Sequence, residues 1–163
     1  MLLNEDTFEV TVLDAHLRID LGGIGKGFAL DKTVEMLKEW GIKSALIHGG
    51  RSSVYAFGAD WPVSLSDPIN KKKIANNITL NGRALSGSGL DKGSHIIDPR
   101  NGRTVKNVRA AWAFATSAAA SDALSTAFMI LSEDELNTFF KHQKDVSAVL
   151  IMQDGTKRAY NRY

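Results

Sequence analysis

Asp122 and Thr126 stand four residues apart in Ser121-Asp122-Ala123-Leu124-Ser125-Thr126-Ala127. In a helix that spacing sets both side chains on one face, about a turn apart. A carboxylate and a hydroxyl so placed, joined by carbonyls from a facing loop, suit magnesium, a hard ion that takes oxygen ligands and keeps several waters. Such an ion would draw charge from a pyrophosphate and steady its departing half. The same pair also admits a structural role, with Asp122 capping a helical turn and Thr126 bonding back to its own backbone.

A second candidate is Asp20-Leu21-Gly22-Gly23-Ile24-Gly25-Lys26-Gly27. Glycines let a backbone approach a phosphate, first-turn amides favour the anion, and Lys26 adds a charge that reaches the same group. Neither nucleotide fingerprint is met. Phe28 stands where the dinucleotide motif needs glycine, and Lys26 is followed by Gly27 where a phosphate loop needs Ser or Thr. A tight strand-to-helix corner capped by Asp20 accounts for the spacing equally well. His95 precedes Ile96-Ile97-Asp98-Pro99-Arg100-Asn101-Gly102. Its imidazole either contacts a nucleotide or carries a proton near neutral pH, or it bonds across its own loop. Asp98 and Pro99 read as a turn, and Arg100 and Arg103 face phosphate or solvent. His48, before Gly49-Gly50, is ambiguous in the same way. His16 and His142 are peripheral, and the four histidines show no zinc-like spacing.

These residues need elements to position them. Strands are expected at 8–13 and 17–21, with a turn between. A helix over 26–40 follows the glycine corner, with Leu30, Val34 and Leu37 on its apolar face. Asp31, Lys32, Glu35, Lys38 and Glu39 form its wet side, and Gly41 its C-cap. A short buried strand at 44–48 ends at Gly49-Gly50, and strands at 54–57 and 61–65 come next. Asp67-Pro68 breaks the chain ahead of Lys71, Lys72 and Lys73. Residues 74–80 alternate as a strand, and Asn81-Gly82 signals a type I′ hairpin with 83–86 returning antiparallel. Gly87, Gly89 and Gly93 mark a loop, 95–97 a short strand, Asn101-Gly102 a tight turn and 109–115 a central strand. The helix at 117–131 has an Ala-rich first turn suited to close packing. Ser132 and Glu135 form a capping box for a helix through 140. Residues 146–152 and 157–160 close the chain as a hairpin around Asp154-Gly155. The sum is one α+β domain over 1–163, a largely antiparallel sheet packed with two or three helices.

Composition narrows the function classes. The 163 residues are 44% hydrophobic and 23% charged, as in an ordinary globular domain. Twenty basic and 18 acidic residues leave a net charge of +2, without the basic stripe of a nucleic-acid binder. Lys71, Lys72 and Lys73 read as a solvated loop or a weak phosphate-steering patch. Cysteine is absent, which excludes disulfides, thiolate catalysis and cysteine-held metals. No apolar run is long enough for a membrane span, and Asn4, Glu5 and Asp6 do not suit a signal peptide. A cytoplasmic protein is expected, or one of the cell envelope or periplasm if an export segment has been removed.

Four stretches, in this order over about 17–152, resemble the ApbE family of flavin transferases, the FAD:protein FMN transferases. They are the run from Asp20 through Gly27 to Asp31, and Ala45-Leu46-Ile47-His48-Gly49-Gly50 continuing to Tyr55-Ala56-Phe57-Gly58. Then come Leu85-Ser86-Gly87-Ser88-Gly89 with the His95 to Gly102 segment, and Ser121 to Ala127. The resemblance implies an ApbE-like fold and magnesium-dependent transfer of FMN from FAD to a threonine hydroxyl of an acceptor protein, with AMP released. It implies that Asp122, Thr126 and a carbonyl at Gly23 hold Mg2+, and that Asp122, Thr126 and His95 are the catalytic candidates. It directs Gly23, Lys26, His48, Gly49, Gly50, Ser86, Gly87, His95 and Asp98 toward the flavin nucleotide. The role expected of Asp122 is electrostatic, since a metal-bound carboxylate is a poor base.

Departures from the family pattern are also visible. Ser121 replaces an alanine, and His48 with Arg51-Ser52-Ser53 replaces a more usual Asn-Leu and Asp-Ile neighbourhood. Leu85 replaces a threonine, and an aromatic is missing near Leu90. Family members carry a longer N-terminal region whose Gly-x-x-Asp-x-Thr type segment walls the flavin site, whereas 19 residues precede Asp20 here. The expectation is an active transferase completed by a second subunit or a shortened pocket. The alternative is an inactive or partner-dependent module that binds a flavin or adenine nucleotide.

Overall fold

Small and large residues alternate along the predicted central strand, and this alternation organises the molecule. The computed structural model describes residues 1–67, 69, 71–90, 93 and 95–162, with the side chains of Asn76 and Asn77 left out of account. Pro68, expected to break the chain, lies outside the described residues. The chain runs β1 (Leu2–Asn4), β2 (Glu9–Thr11), α1 (Gly25–Glu39), β3 (Ala45–Gly49), β4 (Ser53–Phe57), β5 (Trp61–Ser66), β6 (Lys73–Leu80) and β7 (Arg83–Gly89). It continues through β8 (Ile97–Asp98), β9 (Arg103–Thr104), β10 (Val108–Ala115), α2 (Ala118–Ala127), α3 (Glu133–His142), β11 (Ser147–Met152) and β12 (Lys157–Tyr160). Six strands form one sheet in the order β12-β11-β10-β7-β4-β3, and every pairing in it is antiparallel.

Ala111, Ala113 and Ala115 of β10 turn one way, into a core with Phe128, Met129, Leu136 and Phe140. Phe114 turns the other way, with Leu85, Val149 and the β5–β6 residues Leu65, Ile78 and Leu80. Period-2 alternation sends successive side chains to opposite faces, so helices cover one face of the sheet and the β5–β6 hairpin covers the other. α1 packs on the same face as Tyr55, Phe57 and Ala84, through Leu30 and Val34. Along β4 and β7 that face also carries Ser53, two residues from Tyr55, and Ser86 and Ser88, two and four residues from Ala84. Small residues there leave room for α2 to lie close to the sheet.

Several local expectations match the structure. Gly41 has φ +80; its N–H donates to Lys38 O and that of Ile42 to Leu37 O, closing α1 in a Schellman motif. Ser132 and Glu135 form the expected capping box on α3. β11 and β12 form the expected terminal hairpin.

Other expectations are corrected. Residues 17–21 form no strand. All of residues 1–24 are exposed; within them β1 and β2 pair with each other, and 17–21 run on as irregular chain toward α1. The strand expected to be buried at 44–48 is β3, a half-buried edge strand bonded, among the described residues, to β4 alone. Asn81-Gly82 is not a type I′ hairpin: Gly82 has φ +63, but Asn81 is absent from the positive-φ residues. β6 pairs with β5, whereas β7 pairs with β4 and β10. The turn is a corner between layers, and Leu80 and Leu85 on its two sides are buried in one cluster. Gly87 and Gly89 lie within β7 instead of a loop. A Cβ on Gly87 would come within 2.8 Å of the Trp112 indole, its cross-strand neighbour.

Candidate functional site

The first turns of α1 and α2 meet where Gly27 lies against the Ala118 carbonyl, an approach that any Cβ on Gly27 would obstruct. Each helix then caps the other. Asp31 of α1 accepts from Ser117 Oγ (2.7 Å), Ala118 N (2.7 Å) and Ala119 N (2.9 Å) at the start of α2. Asp122 of α2 accepts at Oδ2 from Gly27 N, 3.1 Å away, at an α1 N-terminus that has no cap from its own N-cap side chain. Asp31 was expected on the wet side of α1; it is half-buried because three donors of the neighbouring helix surround it. Asp31 also acts on Tyr55: burial, and secondarily the Asp31 charge, push the phenol pKa up.

Asp122 is only 3% exposed. Beyond Gly27 N, its Oδ1 accepts from Ser53 Oγ at 3.2 Å. The Lys26 ammonium lies 3.3 Å from Oδ1 and 3.4 Å from Oδ2, and it donates to the Gly22 carbonyl at 3.2 Å. Thr126 is half-buried one turn on, and its Oγ1 is 2.9 Å from Ser88 Oγ, which is also 2.8 Å from Ser125 Oγ. A Cβ on Gly23 would sit 3.8 Å from Thr126 Oγ1, so the glycine corner closes over the Asp122–Thr126 face. Asp20 shapes that corner by accepting from Gly22 N at 2.7 Å. The structure therefore joins Gly22, Gly23, Lys26, Asp122 and Thr126 in one oxygen-rich cluster. Ser53 and Ser88 belong to it too, although neither was among the candidate site residues.

The other candidates fall at different distances from this centre. Gly49 packs against Leu30 and pairs with Ser53, and Gly50 turns the chain with φ +71, so the two deliver Ser53 to Asp122. His48 is exposed on the edge strand. Ser86 pairs with Ser53 in register but is fully buried, and among the described residues its Oγ has no hydrogen-bond partner. His95 is exposed, with Nδ1 2.8 Å from Gly93 O. Asp98 accepts from Arg100 Nε at 2.8 Å and Nη2 at 2.9 Å, while Arg100 Nη1 donates to Glu135 at 2.7 Å. The Arg100 side chain, and then its backbone N–H, holds the Asp98 carboxyl below the usual carboxylate range. Among the described residues, no hydrogen bond or ion pair links His95 or Asp98 to the Asp122 cluster. Asp98 instead borders an open recess of about 1010 Å³, with Lys106, Met129, Leu136 and Arg158, that shares no lining residue with Asp122.

The amides expected to cradle a phosphate are partly used internally: Gly25 N donates to Leu21 O at 2.7 Å and Gly27 N to Asp122. The net arrangement is a buried carboxylate and a backbone carbonyl gathered around one cation, the ammonium of Lys26, with the Ser53 hydroxyl on the same carboxylate. Among the described residues there is no group of three or more His, Cys, Asp or Glu side chains able to hold a metal. A hard ion here would rely on hydroxyl, carbonyl and water oxygens beside a single carboxylate. No helix of the described residues is long and apolar enough to cross a membrane.

A family model described as ApbE family matches residues 2–150. A FAD:protein FMN transferase of Klebsiella pneumoniae is 24% identical over 165 residues, covering 94% of this chain and 52% of its own length. One of Rhodobacter capsulatus is 32% identical over 154 residues, covering 86% of this chain and 29% of its own. The chain spans about half the length of the first curated relatives it matches. Among solved structures, the ApbE protein of Thermotoga maritima superposes with a TM-score of 0.83 at 24% identity, over 99% of this chain and 56% of that one. The flavin transferase ApbE of Vibrio cholerae gives 0.70 at 23% identity, over 87% and 50%. At such identities the structural likeness speaks for the fold.

Proposed function

The chain belongs to the ApbE family, and from that premise we propose that it transfers FMN from FAD to a threonine hydroxyl of an acceptor protein, in a magnesium-dependent reaction that releases AMP. The observation that carries the reading is the oxygen cradle around the Lys26 ammonium. Asp122 and the Gly22 carbonyl are hard donors that already hold a cation between them, and Thr126 adds a hydroxyl one turn along the same helix face. That chemistry fits Mg2+, which Asp122 and Thr126 would hold with a carbonyl of the Gly22-Gly23 corner. Bound there, it supplies neutralisation of pyrophosphate charge.

In the transfer, the threonine oxygen bonds to the FMN-side phosphorus and the anhydride bond to AMP breaks. AMP leaves with the bonding pair, and the hydroxyl proton passes to solvent. The chain's part is positioning and electrostatics. Ser53 and Gly27 N fix the Asp122 carboxylate, Ser88 fixes the Thr126 hydroxyl, and Lys26 faces the phosphates. His95 contacts the nucleotide from the loop that its Nδ1 anchors, 2.8 Å from Gly93 O. His48, Gly49 and Gly50 border the cofactor from the edge strand. Ser86 and Gly87 support the floor from β7, and Asp98 braces the loop that carries His95.

The test is incubation with FAD, Mg2+ and a threonine-bearing acceptor peptide, read by AMP release and by the added mass of FMN. Asp122→Ala is expected to abolish both signals. Because the chain spans about half of its relatives, a second reading is a module that binds a flavin or adenine nucleotide without transfer. FAD binding with no AMP release would select it.

A further inference from the structure

The position of Lys26 bears on how the cradle exchanges its cation. Its ammonium is within 3.4 Å of both Asp122 oxygens and 3.2 Å of the Gly22 carbonyl. Asp122 is almost fully buried, and its other partners, Gly27 N and Ser53 Oγ, are neutral donors. A buried carboxylate left without a positive partner is costly, so the lysine neutralises it when no other cation does. The lysine side chain remains 41% exposed. It is long and flexible, enters the cradle from the solvent side and can swing out without disturbing the backbone of α1.

We propose that Lys26 is a resident counter-ion that a divalent ion displaces, and that this exchange presents the ammonium to the pyrophosphate of the incoming nucleotide. The inference rests on the magnesium reading above and adds an order to it. Two cations compete for one carboxylate, so metal entry expels the ammonium, and the expelled ammonium needs a new anionic partner. Metal and nucleotide then promote each other's binding through one side chain, and linkage makes that coupling reciprocal. Neither ligand has to move the backbone.

The test is calorimetric titration of Mg2+ into the nucleotide-free chain, as wild type, Lys26→Met and Lys32→Met. Lys32 is on the same helix but pairs with Glu35 at 2.7 Å, so it controls for a general loss of positive charge. Lys26→Met is expected to bind Mg2+ at least about fivefold more tightly, the lower end of a usual coupling between two ligands, and to gain more thermal stability from added Mg2+ than wild type. Lys32→Met should match wild type. In the wild-type chain, the 15N signal of the Lys26 ammonium should shift on Mg2+ addition, a readout that needs no variant. Equal or weaker Mg2+ binding by Lys26→Met, or an unmoved ammonium signal at saturating Mg2+, would overturn the exchange while leaving the magnesium site standing. An absence of Mg2+ binding by wild type and Lys26→Met alike would overturn both.

Discussion

Ser53 and Ser86 face each other across β4 and β7, yet only one of them has a bond to lose. Ser53 Oγ donates to the buried Asp122 carboxylate, and a hydrogen bond to a charged group contributes about 2 kcal/mol. Ser86 Oγ is buried with no partner among the described residues, and an unpaired hydroxyl in such a place is itself a cost. In urea unfolding, Ser53→Ala should therefore lower stability by about 2 kcal/mol, while Ser86→Ala should leave it unchanged or raise it. A loss for Ser86→Ala matching that of Ser53→Ala would mean that Ser86 has a partner in solution. Under the proposed magnesium reading, Ser53→Ala should also weaken Mg2+ binding, because the Asp122 carboxylate loses the donor that orients it.

α1 and α2 are coupled because each supplies the other's N-terminal acceptor. Asp31 satisfies three donors around the start of α2, and loss of a cap costs about 1–2 kcal/mol. Asp31→Ala should fall in that range by chemical denaturation. Gly27→Ala sets two effects against each other. Helix propensity alone favours alanine by about 1 kcal/mol, but the new methyl group would strike the Ala118 carbonyl, and overpacking costs about 1–3 kcal/mol. Backbone atoms line the contact and cannot rotate away, so overpacking should prevail and the variant should melt below wild type. A Gly27→Ala chain that melts higher would show that the helices do not meet as described.

At the scale of the whole molecule, buried side chains fill both faces of the sheet, whereas residues 1–24 are exposed. Phe128 is fully buried, with ring centroids 5.3 Å from Phe139 and 5.1 Å from Phe140, and Phe128→Ala should cost about 3–5 kcal/mol. Leu13 is 66% exposed, so Leu13→Asn should change stability by no more than about 0.5 kcal/mol in the same urea titration. The Asp98–Arg100–Glu135 clamp gives this scale a pH signature. Arg100 holds the Asp98 carboxyl below its ordinary 3.8. The Ser132 backbone N–H, followed by Arg100, holds Glu135 below 4.5. Because both folded-state values are depressed, the clamp stabilises fully above the ordinary 3.8 and 4.5 and loses its effect as pH falls from there through the lower folded-state values. The stability gap between wild type and Arg100→Met should therefore be largest near neutral pH and close below the ordinary carboxylate range, as followed by melting temperature against pH.

Features encoded within a few residues were legible in the chain itself. The period of Leu30, Val34 and Leu37, the Gly41 terminus, the Ser132–Glu135 box, the last hairpin and the shared face of Asp122 and Thr126 all depend on neighbours in sequence, where spacing determines geometry. Contacts across 69 to 96 residues had no such spacing to announce them. Ser53 under Asp122, Lys26 beside it and Asp31 at the start of α2 are of this kind. So is the corner at Asn81-Gly82, whose dipeptide suits a hairpin until sheet pairing assigns β7 to other strands. Tertiary packing decided these because a buried charge takes whichever partner the fold brings within reach, and only close helix crossing and strand order set that reach.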